Sequence, residues 1–192
     1  MKRRKAIGRI LLAGGATALV YSGYEWFELT KEPDIAYLLT KKQLLSELAE
    51  TIIPATPGVP GATEAGVVGF MIPILTECTE PKKLNTFIEG LQDLESHTRS
   101  SYHNDFGHCS GKEKEEILQY FENRAAPLSR FAGKVRNKFF GGSFFDTLKQ
   151  YTVECYCISE KGATLGLSYI PVPGRYEACI PLEPAQRAWA TK

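Results

Sequence analysis

What this chain lacks narrows its class before anything it contains is weighed. No run alternates apolar and polar residues over the length of a strand, so a sheet-built fold is not expected. There is no G-x-S-x-G elbow and no S-x-x-K, and no cysteine sits in a setting that specifies an activating base. The glycines of "GVPGATEAGVVG", Gly58 to Gly69, fit neither the P-loop nor the dinucleotide spacing and follow no predicted strand. They read as turn and close-packing glycines. Histidine is scarce: His97, His103 and His108 are the whole set, and the last two are five apart, which does not place them on one helical face. A solvated helix end and loop is their expected setting. No catalytic, metal or cofactor site is expected in this chain.

Charge of one sign is missing too. The formal net charge is +1 over 192 residues, with 43% apolar and 23% charged residues, a globular composition sufficient for one domain with a real core. Lys2, Arg3, Arg4, Lys5 and Arg9 precede the first acid, Glu25, so the body beyond them is mildly acidic. A nucleic-acid partner is not expected of such a body. The opening "MKRRKAIGRILLAGGATALVYSG" has signal-peptide order: basic residues, an apolar run, then small residues. The apolar run, Ile10 to Tyr21, spans roughly 18 Å as a helix, well short of a ~30 Å hydrocarbon core. The pair Arg3 and Arg4, followed by Lys5 and then apolar Ala6 and Ile7, resembles a twin-arginine signal, an address read by the twin-arginine translocase for cargo exported already folded. Residues 1–24 are assigned to this signal, 25–39 to a linker, 40–168 to a helical bundle and 169–192 to an extended tail. A periplasmic location follows. If the signal is retained, residues 6–27 tether the chain to the inner membrane, with Tyr24, Trp26 and Phe27 at its interface.

Five cysteines, Cys78, Cys109, Cys155, Cys157 and Cys179, leave an exported chain with at least one thiol unpaired within itself. Cys155 and Cys157 fall on a predicted helix, where residues two apart point to different sides, so a bond between them is not expected. Their C-x-C spacing is not that of a redox or zinc motif.

The remaining pattern is helical. Thr40 and Gln43 have capping-box spacing before Leu44, Leu45, Leu48, Ala49 and Ile52, and Pro54 ends that helix. A Pro/Gly loop leads to a second helix expected near Thr63, burying Val67, Phe70, Met71 and Ile74, with Pro73 kinking or shortening it. Pro81 opens a third, with Leu84, Phe87, Ile88, Leu91 and Leu94 as its stripe, running out near Tyr102. Ser110 and Glu113 form a second capping box before Ile117, Leu118 and Phe121, and Pro127 interrupts. "RFAGKVRNKFF" is a further helical piece broken at Gly141 and Gly142. A longer helix after Ser143 carries Phe145, Leu148, Thr152 and Cys155 on one side and fades at Gly162. Acid pairs such as Glu47 with Glu50, and Glu115 with Glu116, read as solvated surface. The expected fold is all-α, a bundle of about five helices closed by an irregular, proline-rich C-terminal tail.

Two blocks carry a family resemblance. "LAETIIPATPGVPGATEAGVVGFM", Leu48 to Met71, and "TVECYCISEKGATLGLSYIPVPGRYEACIPL", Thr152 to Leu182, resemble in order and spacing the hallmark blocks of the gluconate 2-dehydrogenase subunit 3 family. The resemblance implies a small, non-catalytic subunit of a periplasmic dehydrogenase. Its partner is a large subunit of the glucose-methanol-choline type, which holds FAD, oxidises a sugar or related polyol and often passes electrons to a cytochrome c subunit carrying haem c. The small subunit supplies the twin-arginine signal and assists the partner's folding or cofactor assembly, and some members are joined to the large subunit by a disulfide.

The tail fits such a contact. Pro171, Pro173 and Pro181 pre-order an extended backbone and reduce the entropy lost on docking, while Tyr169, Arg175 and Tyr176 belong to residue types enriched at interface hot spots. Cys179 is the thiol placed to cross to the partner. In the alternative arrangement the tail straps its own bundle, with Ile170, Val172 and Ile180 buried and Cys179 tied to Cys155, Cys157 or another thiol. Cys155 also departs from the family pattern, standing where glycine is usual before the aromatic Tyr156. The competing classes are a stand-alone exported thiol or metal enzyme using Cys155 or Cys157 with a histidine, and a membrane-tethered structural protein held by an uncleaved segment 6–27.

Overall fold

A computed structural model describes residues 31–126 and 142–170, together with Val172, Gly174, Arg175, Cys179, Pro181 and 186–190. The fold is all-α: the described residues contain no strand, only two isolated bridges. In chain order come α1 (Ile35–Thr40), α2 (Lys42–Ile52), α3 (Val67–Pro73) and a π-helical turn (Ile74–Cys78). They are followed by α4 (Pro81–Tyr102), a 3-10 turn (Phe106–His108), α5 (Gly111–Ala125), α6 (Phe144–Ile158) and a second π-helical turn (Gly162–Gly166). None of the described helices is long and apolar enough to cross a membrane.

The three long helices form where the sequence signals place them. Proline opens α4, its missing N–H falling where a helix has no partner for one. Leu84, Phe87, Ile88, Leu91 and Leu94 then recur on one face and all are buried. The helix stops after Tyr102 because His103 turns left-handed (φ 55°) and its N–H donates to the Arg99 carbonyl at 3.1 Å. At the start of α5, Ser110 Oγ accepts from Glu113 N while Glu113 Oε2 accepts from Ser110 N at 2.7 Å, the reciprocal cap its spacing predicts. Ser143 caps α6 through the Asp146 N–H, at 3.0 Å. The three helices meet at Phe144, whose ring lies 5.3 Å from Phe87 and 5.9 Å from Phe121, and Gly90 provides the space for it.

The N-terminal helices depart from expectation. Thr40 does not cap α2; it ends α1, its hydroxyl donating to the Tyr37 carbonyl at 2.6 Å, while Gln43 donates to Glu47. Asp34 is the better cap and captures the chain earlier, its carboxylate accepting from the Tyr37 N–H at 2.9 Å. Residues 35–39, assigned to the linker, are therefore helical. Helix α3 begins at Val67 rather than near Thr63, because Gly66 takes a left-handed conformation (φ 70°) and the Thr63 N–H is bound by a side chain of α2. Its buried residues are Val67, Met71 and, through the π turn, Leu75, each four apart; Phe70 lies off that stripe and is exposed. Pro73 shortens the α-helix as expected, and the chain continues as the π turn.

Candidate functional site

The loop of the first block is held by α2. Glu50 accepts from the Ala55 N–H at 3.1 Å and the Thr63 N–H at 2.8 Å, so one carboxylate satisfies two loop donors that have left the helix. Gly61 lies against that carboxylate, with no room for a Cβ, which would stand 2.7 Å from the Ala55 nitrogen. Between these points Thr56 and Val59 exchange backbone bonds of 3.0 and 2.9 Å around Gly58 (φ 78°), and Ala62 N–H donates to the Ile53 carbonyl. Glu50 is thus an organiser of the loop and not the solvated surface group its spacing suggests. Glu47 is also half-buried, 3.7 Å from Lys114 Nζ.

The second block is joined to this loop by Tyr156. Its buried hydroxyl donates to the Pro60 carbonyl at 2.8 Å, linking residues 96 apart in sequence. Burial raises the Tyr156 pKa, which keeps the hydroxyl a donor. Around it the chain is crowded. A Cβ on Gly162 would stand 2.7 Å from Ser159 Oγ, and one on Gly166 would lie 2.8 Å from the Tyr156 ring. Ser159 Oγ donates to the Tyr156 carbonyl at 2.8 Å and accepts from the Gly162 N–H at 3.1 Å, turning the chain from α6 into the second π turn.

The C-terminal end then returns to the junction. Ser168 and Trp189 form a parallel bridge, Ser168 N–H to the Ala188 carbonyl at 2.8 Å and Ala190 N–H to the Ser168 carbonyl at 2.9 Å. Arg187 donates to the Leu165 carbonyl and, at 3.4 Å, to that of Gly58. Above this base, large apolar side chains face solvent: Leu165, Tyr169, Ile170 and Trp189 are between 43% and 47% exposed, and Val172 is 81% exposed.

Of the sequence-derived site residues, Tyr169, Arg175 and Cys179 are exposed, whereas Arg3, Arg4, Pro171, Pro173 and Tyr176 lie outside the described residues. Exposure of Ile170 and Val172 goes against the arrangement that buries them on the bundle. All five thiols are free. Cys155 and Cys157 do face different sides of α6, the first fully buried and the second exposed. Burial pushes the Cys155 thiol up to about 11, the opposite of what a nucleophilic cysteine requires. His103 and His108 are solvated, and the His97 ring stacks on Tyr120 at 4.2 Å. No group of three metal-ligating side chains occurs among the described residues. The sequence gives none of Glu50, Tyr156, Gly162 and Arg187 a site role: Glu50 reads there as solvated surface and Gly162 as a helix end. The one local signal was Pro54, which ends α2 and leaves the following loop needing acceptors from elsewhere.

A helical bundle with a tightly built loop junction at its surface defines a small all-α protein. The chain belongs to the gluconate 2-dehydrogenase subunit 3 family, whose model matches residues 40–174. No curated protein and no solved structure matches it.

Proposed function

We propose that this chain is the non-catalytic small subunit of a periplasmic dehydrogenase, exported on its own twin-arginine signal and escorting a large FAD-containing subunit of the glucose-methanol-choline type. The partner oxidises a sugar or polyol, and a cytochrome c subunit with haem c receives the electrons. A flavin domain folds around its cofactor before export, so a signal on the bound small subunit moves both chains. Arg3 and Arg4 are the signal pair; Tyr169, Pro171, Pro173, Arg175 and Tyr176 make the contact, and Cys179 is the thiol that crosses to the partner.

The observation that carries this reading is where the two family blocks converge. They build one rigid base, joined by Tyr156 and Pro60, and present Leu165, Tyr169, Ile170 and Val172 to solvent. Apolar side chains held out on an ordered base are what a partner surface buries. The test is to tag the chain through a flexible linker after Lys192 and recover its complex from the periplasm. An FAD-containing partner should co-purify, migrate with this chain on a non-reducing gel, and separate after reduction or in a Cys179→Ser variant. Changing Arg3 and Arg4 to lysine should abolish export of both. A chain exported alone, with no flavoprotein attached, refutes the reading.

A further inference from the structure

The C-terminal segment does not leave the bundle as a free tail. Its far end comes back: the Ser168–Trp189 bridge places residues 188–190 beside the start of the segment. Between them, Tyr169, Ile170, Val172, Gly174, Arg175, Cys179 and Pro181 are all exposed. The two bridge hydrogen bonds are backbone pairs at a solvent-facing site, each worth little net, while closing a loop of this length costs entropy that grows with its logarithm. Something further holds the ends together.

We propose that Arg187 is the latch that closes the C-terminal segment into a loop and thereby positions it for the partner. The guanidinium reaches one carbonyl from each family block: Leu165 in the second π turn and Gly58 in the tight turn after α2. Two carbonyls in different directions call for a forked donor, which arginine supplies and lysine does not. Both acceptors belong to structures fixed by other contacts, Gly58 by the Thr56–Val59 pair and Leu165 by the turn packed on Tyr156. The arginine therefore binds to a preformed seat. A loop closed before docking has less freedom to lose on docking, and its benefit appears as affinity.

The positioning role rests on the accessory-subunit reading, whereas the latch itself does not. The experiment separates them. In the full chain, amide hydrogen exchange at Ser168 and Ala190 and tryptic cleavage after Arg175 are measured for wild type, Arg187→Ala and Arg187→Lys. Loss of the forked contact should speed exchange and cleavage by about fivefold to tenfold in Arg187→Ala, with Arg187→Lys in between. The thermal midpoint of the bundle should stay put, because Arg187 is exposed and outside the core. Binding of the flavoprotein that co-purifies with wild type is then measured with each variant, and Arg187→Ala should weaken it by a similar factor, with Arg187→Lys partly restoring it. Unchanged exchange in Arg187→Ala overturns the latch. Faster exchange with unchanged affinity overturns the positioning role. If wild type captures no flavoprotein, the accessory reading falls and the latch is decided by exchange alone.

Discussion

The sharpest test of the junction is a single methyl group at Gly162. A Cβ built there falls 2.7 Å from Ser159 Oγ and 2.9 Å from the Tyr156 carbonyl carbon, and meets the Tyr156 carbonyl oxygen more closely still. Real Cβ atoms essentially never approach within 3.0 Å, and two of these three neighbours are backbone, which cannot swing aside. Overpacking of this kind costs about 1–3 kcal/mol. The displaced Ser159 hydroxyl is buried and bonded both to the Tyr156 carbonyl and to the Gly162 N–H, so disturbing it adds about 1 kcal/mol. Replacing glycine returns up to about 1 kcal/mol of backbone entropy. The expected result for Gly162→Ala is a loss of about 1–3 kcal/mol, a fall in Tm of roughly 2–12 °C for a chain of this size. Gly69→Ala is the internal control: it lies in α3 with nothing within 4 Å of a new Cβ, so it should gain about 0.5–1 kcal/mol. Urea unfolding followed by far-ultraviolet circular dichroism reads both variants. A Gly162→Ala protein as stable as wild type, or the two variants moving in the same direction, refutes the reasoning.

Three further outcomes are expected. Glu50→Gln should cost about 1–3 kcal/mol in the same urea assay, because its amide NH₂ faces one of the two N–H groups, of Ala55 and Thr63, that the carboxylate now accepts. A thiol reagent added to the native protein should modify Cys78, Cys157 and Cys179 promptly and reach buried Cys109 and Cys155 only on unfolding. For Glu95, burial pushes the carboxyl up, but hydrogen bonds from Lys41 (2.7 Å) and Tyr37 (2.7 Å) outweigh it and hold the pKa below the usual range. A lowered carboxyl pKa stabilises the fold above its unfolded value, near ~4.3, and that contribution is lost as pH falls through the folded value. Acid titration of stability should therefore be shallower in Glu95→Gln than in wild type below about pH 4.

How much of this was legible depended on the range of the interaction. Helices α4, α5 and α6 are written locally: Pro81, the Ser110–Glu113 box and Ser143 mark their starts, and stripes such as Leu84, Phe87, Leu91 and Leu94 mark their buried faces. The start of the bundle differs from the expectation because Asp34, six residues before Thr40, caps a short helix of its own first. Spacing alone does not say which one captures the chain. Phe70 was misplaced for a related reason: i+3 and i+4 positions both lie near one face, and α3 buries the i+4 set. The junction was not legible at all. Tyr156 meets Pro60 across 96 residues and Arg187 meets Gly58 across 129, and no local period encodes such pairs.

The family match over residues 40–174 takes in the helices and the Tyr156–Pro60 junction alike, and the two make different demands on the sequence. A helix face needs apolar volume, and many residues supply it at small cost. The junction needs particular atoms: a carboxylate at Glu50 for two N–H groups, no Cβ at Gly61 or Gly162, and a phenol at Tyr156 for one carbonyl. These residues act beneath the exposed set and not within it. Their loss should therefore weaken partner binding through the shape of the base, in proportion to lost stability. Substitution of Tyr169 or Val172 above them should weaken binding while leaving stability unchanged. Plotting affinity against unfolding free energy for both groups separates support from contact. If Tyr169→Ala and Tyr156→Phe fall on one line, the base and the contact surface are not distinct, and the division of labour drawn between them is wrong.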